Sequence, residues 1–311
     1  MKTEILYRLS SMSREDYQIH GYRFGTGKSR VAIVAGMRGS EAQGLYVAAK
    51  LVQYLKQNEH VIAPGSEILM IPSVNPYSLN TVRRLWPLDN TDINRMFPGY
   101  SEGETTQRIA AAVMEAVQDY ELGVYLTSTP HPGKHIVHAR IHRLGPESAK
   151  TAVDFGLPIV HAHEPNPQET GSLNYNWQIW NTRAVSLVGG KGFEIDEDQV
   201  LELFHGVLRY LVVQGVLLQE ITLAYPELSQ ARPSRVVQDT DLHVVTTPRA
   251  GIFSTRSRPG DSVQSGEVLA EILDPQLGEI RSQIRSPIAG TVFYVYQTPL
   301  VYEKMIAFMI V

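Results

Sequence analysis

The chain of 311 residues contains no cysteine, so disulfide frameworks and thiolate metal sites are excluded. It has little excess charge. With 28 basic against 32 acidic side chains the formal charge is -4, which fits neither a disordered polyanion nor a polybasic nucleic-acid binder. No apolar run approaches the roughly 18 residues of a membrane span. The first residues, Met1 to Glu4, lead into polar ones without the apolar core of a secretion signal. The sequence reads as that of a soluble, cytoplasmic protein with no nucleic-acid or membrane partner, and leaves a homo-oligomer open. With 43% hydrophobic residues, this length can build one large domain or a main domain with a smaller appendage.

What is present is alternation. The run VAIVA from Val31 is short, β-branched and bounded by Gly36, which predicts a strand buried on both faces. Leu45, Ala48, Val52 and Leu55 then recur at helical spacing. Further strand runs lie at Ile68 to Ile71, which leads into the turn signal Asn75-Pro76, and at Val124 to Leu126, Leu157 to Val160 and Ala184 to Val188. Helical stretches such as Gln107 to Val117 separate them. The expected fold is α/β, a mixed, mostly parallel sheet with helices on both faces, over residues 1–238.

Residues 239–311 change character, to Gly/Pro turns between short β-rich runs. TPRAGIF from Thr247 is echoed by SPIAGTV from Ser286, which implies a small pseudo-symmetric all-β unit. It resembles the biotinyl/lipoyl barrel-sandwich domain. The intervening DPQLGEIRSQIR lacks the lysine that such carriers modify, so the expectation is an appendage that shields the main site or supports assembly.

In open α/β sheets ligands bind beyond the carboxyl ends of the strands, and those ends carry the informative residues here. GMRGSEAQG follows the first strand, and NPYSLNTVRRLWPLDNTDINRMFPG follows the second. Arg84, Asn94 and Arg95 suit an anion site, because guanidinium groups pair with carboxylates in a fork and keep their proton. Ion pairs with Asp89 and Asp92 are the plainer alternative.

Gly36, Gly39, Glu41 and Gly44, then Asn75-Pro76, then RLWPLDNTDINRMFPG from Arg84, resemble the succinylglutamate desuccinylase/aspartoacylase family. That resemblance implies a zinc carboxypeptidase-like fold and a hydrolase that removes an acyl group from an amino acid. It also implies that Asn94 and Arg95 hold the substrate carboxylate while Arg84 polarises the scissile carbonyl. Glu41 would serve as a metal ligand and catalytic group. The family's zinc comes from H-x-x-E after the first strand and a histidine in D-L-H after a later one. Here Arg38 stands at the first histidine position and Thr127 at the second, and the catalytic glutamate is replaced by Leu187. A guanidinium 4 Å from a dication is repelled by about 8 kcal/mol at an effective dielectric of 20, so zinc is not expected in the usual place if Arg38 points inward. Arg38 would instead pair with Glu41 as a substitute cation, and it joins Asn94, Arg95, His138 and Arg140 as a candidate substrate-binding residue.

Histidines offer a rebuilt ligand set. His131, four residues past Thr127, is the candidate to complete a metal site with Glu41. In KHIVHARIH a single strand puts His138, Arg140 and His142 on one face, with His135 on the other. His138 with Arg140 then reads as a substrate-facing pair, or as a solvated strand face. His161-Ala162-His163 can chelate from one face, although such pairs are more often plain surface. Glu194 is a candidate displaced base within a charge run. GSLNYNWQIW from Gly171 fits a pocket wall and core equally. Two functions follow: an amide or ester hydrolase acting on a small carboxylate-bearing substrate, or a non-catalytic small-carboxylate-binding protein with a degenerate metal site. Metal separates them, since activating water at neutral pH needs its pKa lowered.

Overall fold

The β-branched runs become central strands because each alternate residue has a helical layer to meet. The computed structural model describes residues 1–13, 15–129, 132–144, 147–229 and 233–311. Its first ten strands are β1 (Lys2–Leu9), β2 (Tyr17–Gly25), β3 (Gly27–Ala35), β4 (Gly65–Ile71), β5 (Leu122–Thr129), β6 (Gly133–His135), β7 (His138–His142), β8 (Ile159–His163), β9 (Arg183–Lys191) and β10 (Arg235–Gln238). All but β6 join one sheet in the order β1-β2-β4-β3-β5-β9-β7-β8-β10. Pairing is parallel from β4 through β3 and β5 to β9, and again from β7 through β8 to β10. It is antiparallel at β1–β2, β2–β4 and β7–β9. The sheet is therefore mixed and mostly parallel. Periodicity in the sequence does not mark the β1–β2 hairpin.

Val31, Ile33 and Ala35 of β3 pack on one face with the helices Ala42–Gln57 and Glu197–Val213. Ala32 and Val34 pack on the other with the helix Thr105–Val117. The first helix buries Val47, Ala48, Leu51, Val52 and Leu55 as one stripe. Each large side chain in such a stripe contributes about 1.5–3 kcal/mol, so a charged residue at Leu51 would undock the helix. Asn75-Pro76, which the sequence marks as a turn, begins the helix Pro76–Thr81: the Asn75 side chain accepts from Ser78 N at 3.1 Å, and Pro76 takes a first-turn position that needs no N–H.

From His243 onward the chain forms two antiparallel sheets around a core that includes Phe253, Leu269, Phe293 and Phe308. The echoed motifs open the strands Gly251–Thr255 and Gly290–Tyr296, one in each sheet. The β unit is joined to the main sheet by more than its linker. Strand β6 pairs with Gly290–Tyr296, and Ile159 of β8 and Val237 of β10 enter the same core. Among the described residues no helix is long and apolar enough to cross a membrane.

Candidate functional site

The sheet turns its carboxyl ends and one face toward a cavity of about 670 Å³, covered by the C-terminal unit through Leu242, Phe293 and Met309. At one side stands an ion-pair cluster built by the glycine-rich turn after β3. Gly36, at φ +64°, takes the chain off the strand, and Glu41 precedes the helix Ala42–Gln57. A Cβ at Gly44 would lie 2.8 Å from the Leu126 carbonyl oxygen, so glycine lets the helix approach β5 closely enough for Glu41 to meet Tyr125 and Thr127.

Arg38 Nη1 donates to Glu41 Oε1 at 2.9 Å, and Arg38 Nε donates to both Asp92 oxygens at 3.1 Å. The Tyr125 hydroxyl donates to the Glu41 carboxylate at 3.0 Å and the Thr127 hydroxyl at 2.6 Å. Asp92 also holds Arg84 at 3.4 Å and Arg95 at 3.7 Å. Among the described residues three guanidinium groups thus face two carboxylates in this cluster, an excess of one positive charge beside the cavity. Burial acts to lower the Arg38 pKa, but Tyr125, Glu41 and Asp92 outweigh it and raise it. Burial, then the charge of Arg38, lower the pKa of Arg84. Burial followed by the Glu41 charge pushes Tyr125 well above the phenol range, so its O–H remains a donor.

The other side of the cavity is a sheet face rich in imidazole. Alternation on β7 turns His138, Arg140 and His142 into it, with His161 and His163 of β8 alongside and Ser186 and Val188 of β9 next in line. Phe293 lies over His135, His138 and His161 at ring-centre distances of 5.1, 4.9 and 5.7 Å. Burial pushes His138 down to about 3 and His142 down to about 4, so both are neutral at pH 7. A chain of contacts runs from Arg140 to Glu169, from Glu169 to His163 Nε2 at 2.7 Å, and from His163 Nδ1 to Asp239 Oδ1 at 2.8 Å. It ends at His161 Nε2, 2.7 Å from the same oxygen.

Of the residues singled out in the sequence, Arg38, Arg84, Asn94, Arg95, His138 and Arg140 line this one cavity. Asn94 is anchored, its Oδ1 accepting from Leu173 N at 3.0 Å. Arg95 is half exposed. Several expectations need correction. Glu41 is buried behind Arg38, does not line the cavity and accepts from three side chains, so neither the metal-ligand role nor the catalytic role follows for it. His135 lies in β6, separate from β7, and lines the cavity instead of facing away. Leu187 packs into the helical core, and the residue of that strand end that meets the cavity is Val188, so no carboxylate reaches it from there. Glu194 is exposed and paired with Lys191. Trp177 is core and Trp180 is exposed, while Ser172 and Asn174 of the same segment line the cavity. His131 lies outside the described residues. Asp239 and Glu169 were missed altogether. Asp239 reaches the histidines only through the parallel pairing of β8 with β10, across 76 residues of sequence from His163.

The zinc position implied by the motif does not fit a cation. A metal needs converging lone pairs, whereas Arg38, Tyr125 and Thr127 all present protons to Glu41.

The geometry is that of an α/β protein with a guanidinium-lined, histidine-walled cavity at the carboxyl ends of its strands. The family model of the succinylglutamate desuccinylase/aspartoacylase catalytic domain matches residues 28–212, and the chain belongs to that family. It is 24% identical over 253 residues to the N-alpha-acetyl-L-2,4-diaminobutyric acid deacetylase of Halomonas elongata, covering 78% of this chain and 70% of that protein. Its fold is similar to the crystal structure of a succinylglutamate desuccinylase/aspartoacylase from Rhodobacter sphaeroides, with a TM-score of 0.80 at 20% identity over 99% of this chain and 94% of the other. It is also similar to the product-bound ectoine utilization protein of Ruegeria pomeroyi, with a TM-score of 0.76 at 18% identity over 97% and 93% of the two chains.

Proposed function

We propose that the protein is an amide hydrolase that removes a small acyl group from an amino acid bearing a free carboxylate. The observation that carries this reading is the excess guanidinium charge of the Arg38, Arg84 and Arg95 cluster beside an open cavity sized for a small ligand. Arg84 and Arg95, which share Asp92, together grip the carboxylate, so Arg84 acts here in the clamp in place of the carbonyl-polarising role that the family resemblance implies. Arg38 holds Asp92 so that the other two guanidinium groups stay splayed toward the ligand. Asn94, fixed by Leu173, and the opposite wall of His138 and Arg140 orient the acyl-amide portion. Hydrolysis adds water to the amide carbonyl, breaks its C–N bond and leaves a carboxylate and a protonated amine. The deacetylase relative and the family membership support this chemistry.

A second reading, a small-carboxylate-binding protein without turnover, is favoured by one specific observation. Glu41 is tied up by Arg38, Tyr125 and Thr127, and the β9 position facing the cavity is apolar Val188. The test is amine release from a panel of N-acetyl and N-succinyl amino acids, run with full-length protein alongside calorimetric binding of the same compounds. Turnover that requires the free carboxylate, and is lost in the carboxamide analogues, supports the hydrolase. Binding of the panel without amine release would move the assignment to the second reading.

A further inference from the structure

We infer that His161, His163 and Asp239 form a binding site for one Zn²⁺ ion, on the cavity wall and apart from the cluster around Glu41. The donor atoms of these three side chains all lie within 4.8 Å of one another. Asp239 Oδ1 is 2.7 Å from His161 Nε2 and 2.8 Å from His163 Nδ1, so two ring nitrogens gather around one carboxylate oxygen. Ligands about 2.1 Å from a tetrahedral ion stand about 3.4 Å apart, so the two contacts with Asp239 need to open by about 0.6–0.7 Å, and the two ring nitrogens, within 4.8 Å of each other, need to settle at the same spacing.

Local structure presents the donors. Histidines two apart on β8 share a face, and β10, parallel to β8 with Val237 opposite His161, delivers Asp239 just past its own end. The second oxygen of Asp239 accepts from Glu164 N at 2.8 Å, which fixes the carboxylate. The far nitrogen of His163 meets Glu169 at 2.7 Å, and Arg140 holds Glu169 in turn. A carboxylate behind a ligating histidine orients the ring and strengthens it as a ligand. Asp239 and Glu169 against Arg140 leave the cluster with a net negative charge when the imidazoles are neutral, which favours a cation. Two imidazoles and one carboxylate are a zinc ligand set that leaves a position open, and all three residues line the cavity that holds Arg84 and Arg95.

An ion here would supply the water activation that the Arg38–Glu41 cluster cannot. That use rests on the amide-hydrolase reading, whereas the site itself is tested without substrate. Zn²⁺ is titrated calorimetrically into chelator-stripped full-length protein. One equivalent is expected to bind. His163→Ala and Asp239→Asn should each weaken it by at least roughly tenfold, Glu169→Gln by roughly tenfold, and Glu41→Gln should leave it unchanged. Circular dichroism confirms that each variant folds, and His163→Asn, a smaller change, replaces the alanine variant if that fails. The proposal is overturned by the lack of any saturable zinc site, or by a site that Glu41→Gln abolishes and His163 substitution spares. Zinc bound through His163 with no amine release keeps the site and sinks the hydrolase. Amine release that persists in the stripped protein keeps the hydrolase, and titration still decides the site.

Discussion

Arg38 Nη1 lies 2.9 Å from Glu41 Oε1, while the Nε of the same guanidinium bridges Asp92. One side chain therefore bridges two buried carboxylates that descend from separate loops. Removing it leaves Glu41 with hydroxyl donors alone, while Asp92 keeps Arg84 and Arg95.

Arg38→Ala should destabilise the fold by about 3–5 kcal/mol, because breaking a buried pair leaves an uncompensated charge. Arg38→Lys should recover only part of that, since an ammonium lacks the fork that reaches Glu41 and Asp92 together. Urea unfolding of the three proteins checks this. Equal midpoints would mean the cluster contributes nothing.

For ligand binding, Arg84→Ala should cost about 1.5–3 kcal/mol of affinity for an N-acyl amino acid, the usual worth of a hydrogen bond to a charged group. Arg95→Ala should cost less, because Arg95 is half exposed while Arg84 is about one-third exposed. Neither should affect binding of the carboxamide analogue. Calorimetry with the acid and the amide reads both differences, and an unchanged affinity for the acid removes the residue from the clamp.

The buried neutral histidines set a pH dependence. His138 and His142 have folded pKa values of about 3 and 4, below the ordinary imidazole value of 6.5. Between those limits the unfolded chain binds more protons than the folded one, so stability falls as pH drops from about 6.5 toward 4. Arg140 adds positive charge next to His138 and acts in the same sense, whereas His163, which burial acts to lower but its contacts with Glu169 and Asp239 raise overall, acts in the opposite sense. Urea midpoints of chelator-treated protein should decline over this window. His138→Phe should flatten the slope, and an equal slope in the variant would assign the acid sensitivity elsewhere.

Phe293 ties the C-terminal unit to the histidine wall. Phe293→Ala should destabilise by about 3–5 kcal/mol, the usual range for a buried phenylalanine, and should loosen ligand binding by opening the cavity. Thermal unfolding with and without ligand reports both effects.

Much of the sheet was legible because Val31–Ala35 and Ile68–Ile71 are apolar on both faces, a pattern that requires helices above and below, while Ala184–Val188 departs from it only at Ser186, on the cavity face. Arg38, Arg84, Asn94 and Arg95 were legible through their order along the chain. The histidine wall was legible only in part. Period-two alternation placed His138, Arg140 and His142 together, but nothing local marks the break between His135 and His138, where β6 leaves to pair with the C-terminal unit. Asp239 carries no local signal at all, and its role depends on which strand lies beside β8. Likewise, the choice between Leu187 and Val188 turns on a one-residue register that reverses the face of the strand.

The most direct measurement is a crystal structure of the zinc-soaked protein with anomalous data at the zinc edge. The expected map shows the Arg38 guanidinium against Glu41, with no anomalous peak within coordinating distance of that carboxylate. A zinc peak on Glu41, with Arg38 swung away, would contradict the claim that the guanidinium has taken the place of the cation.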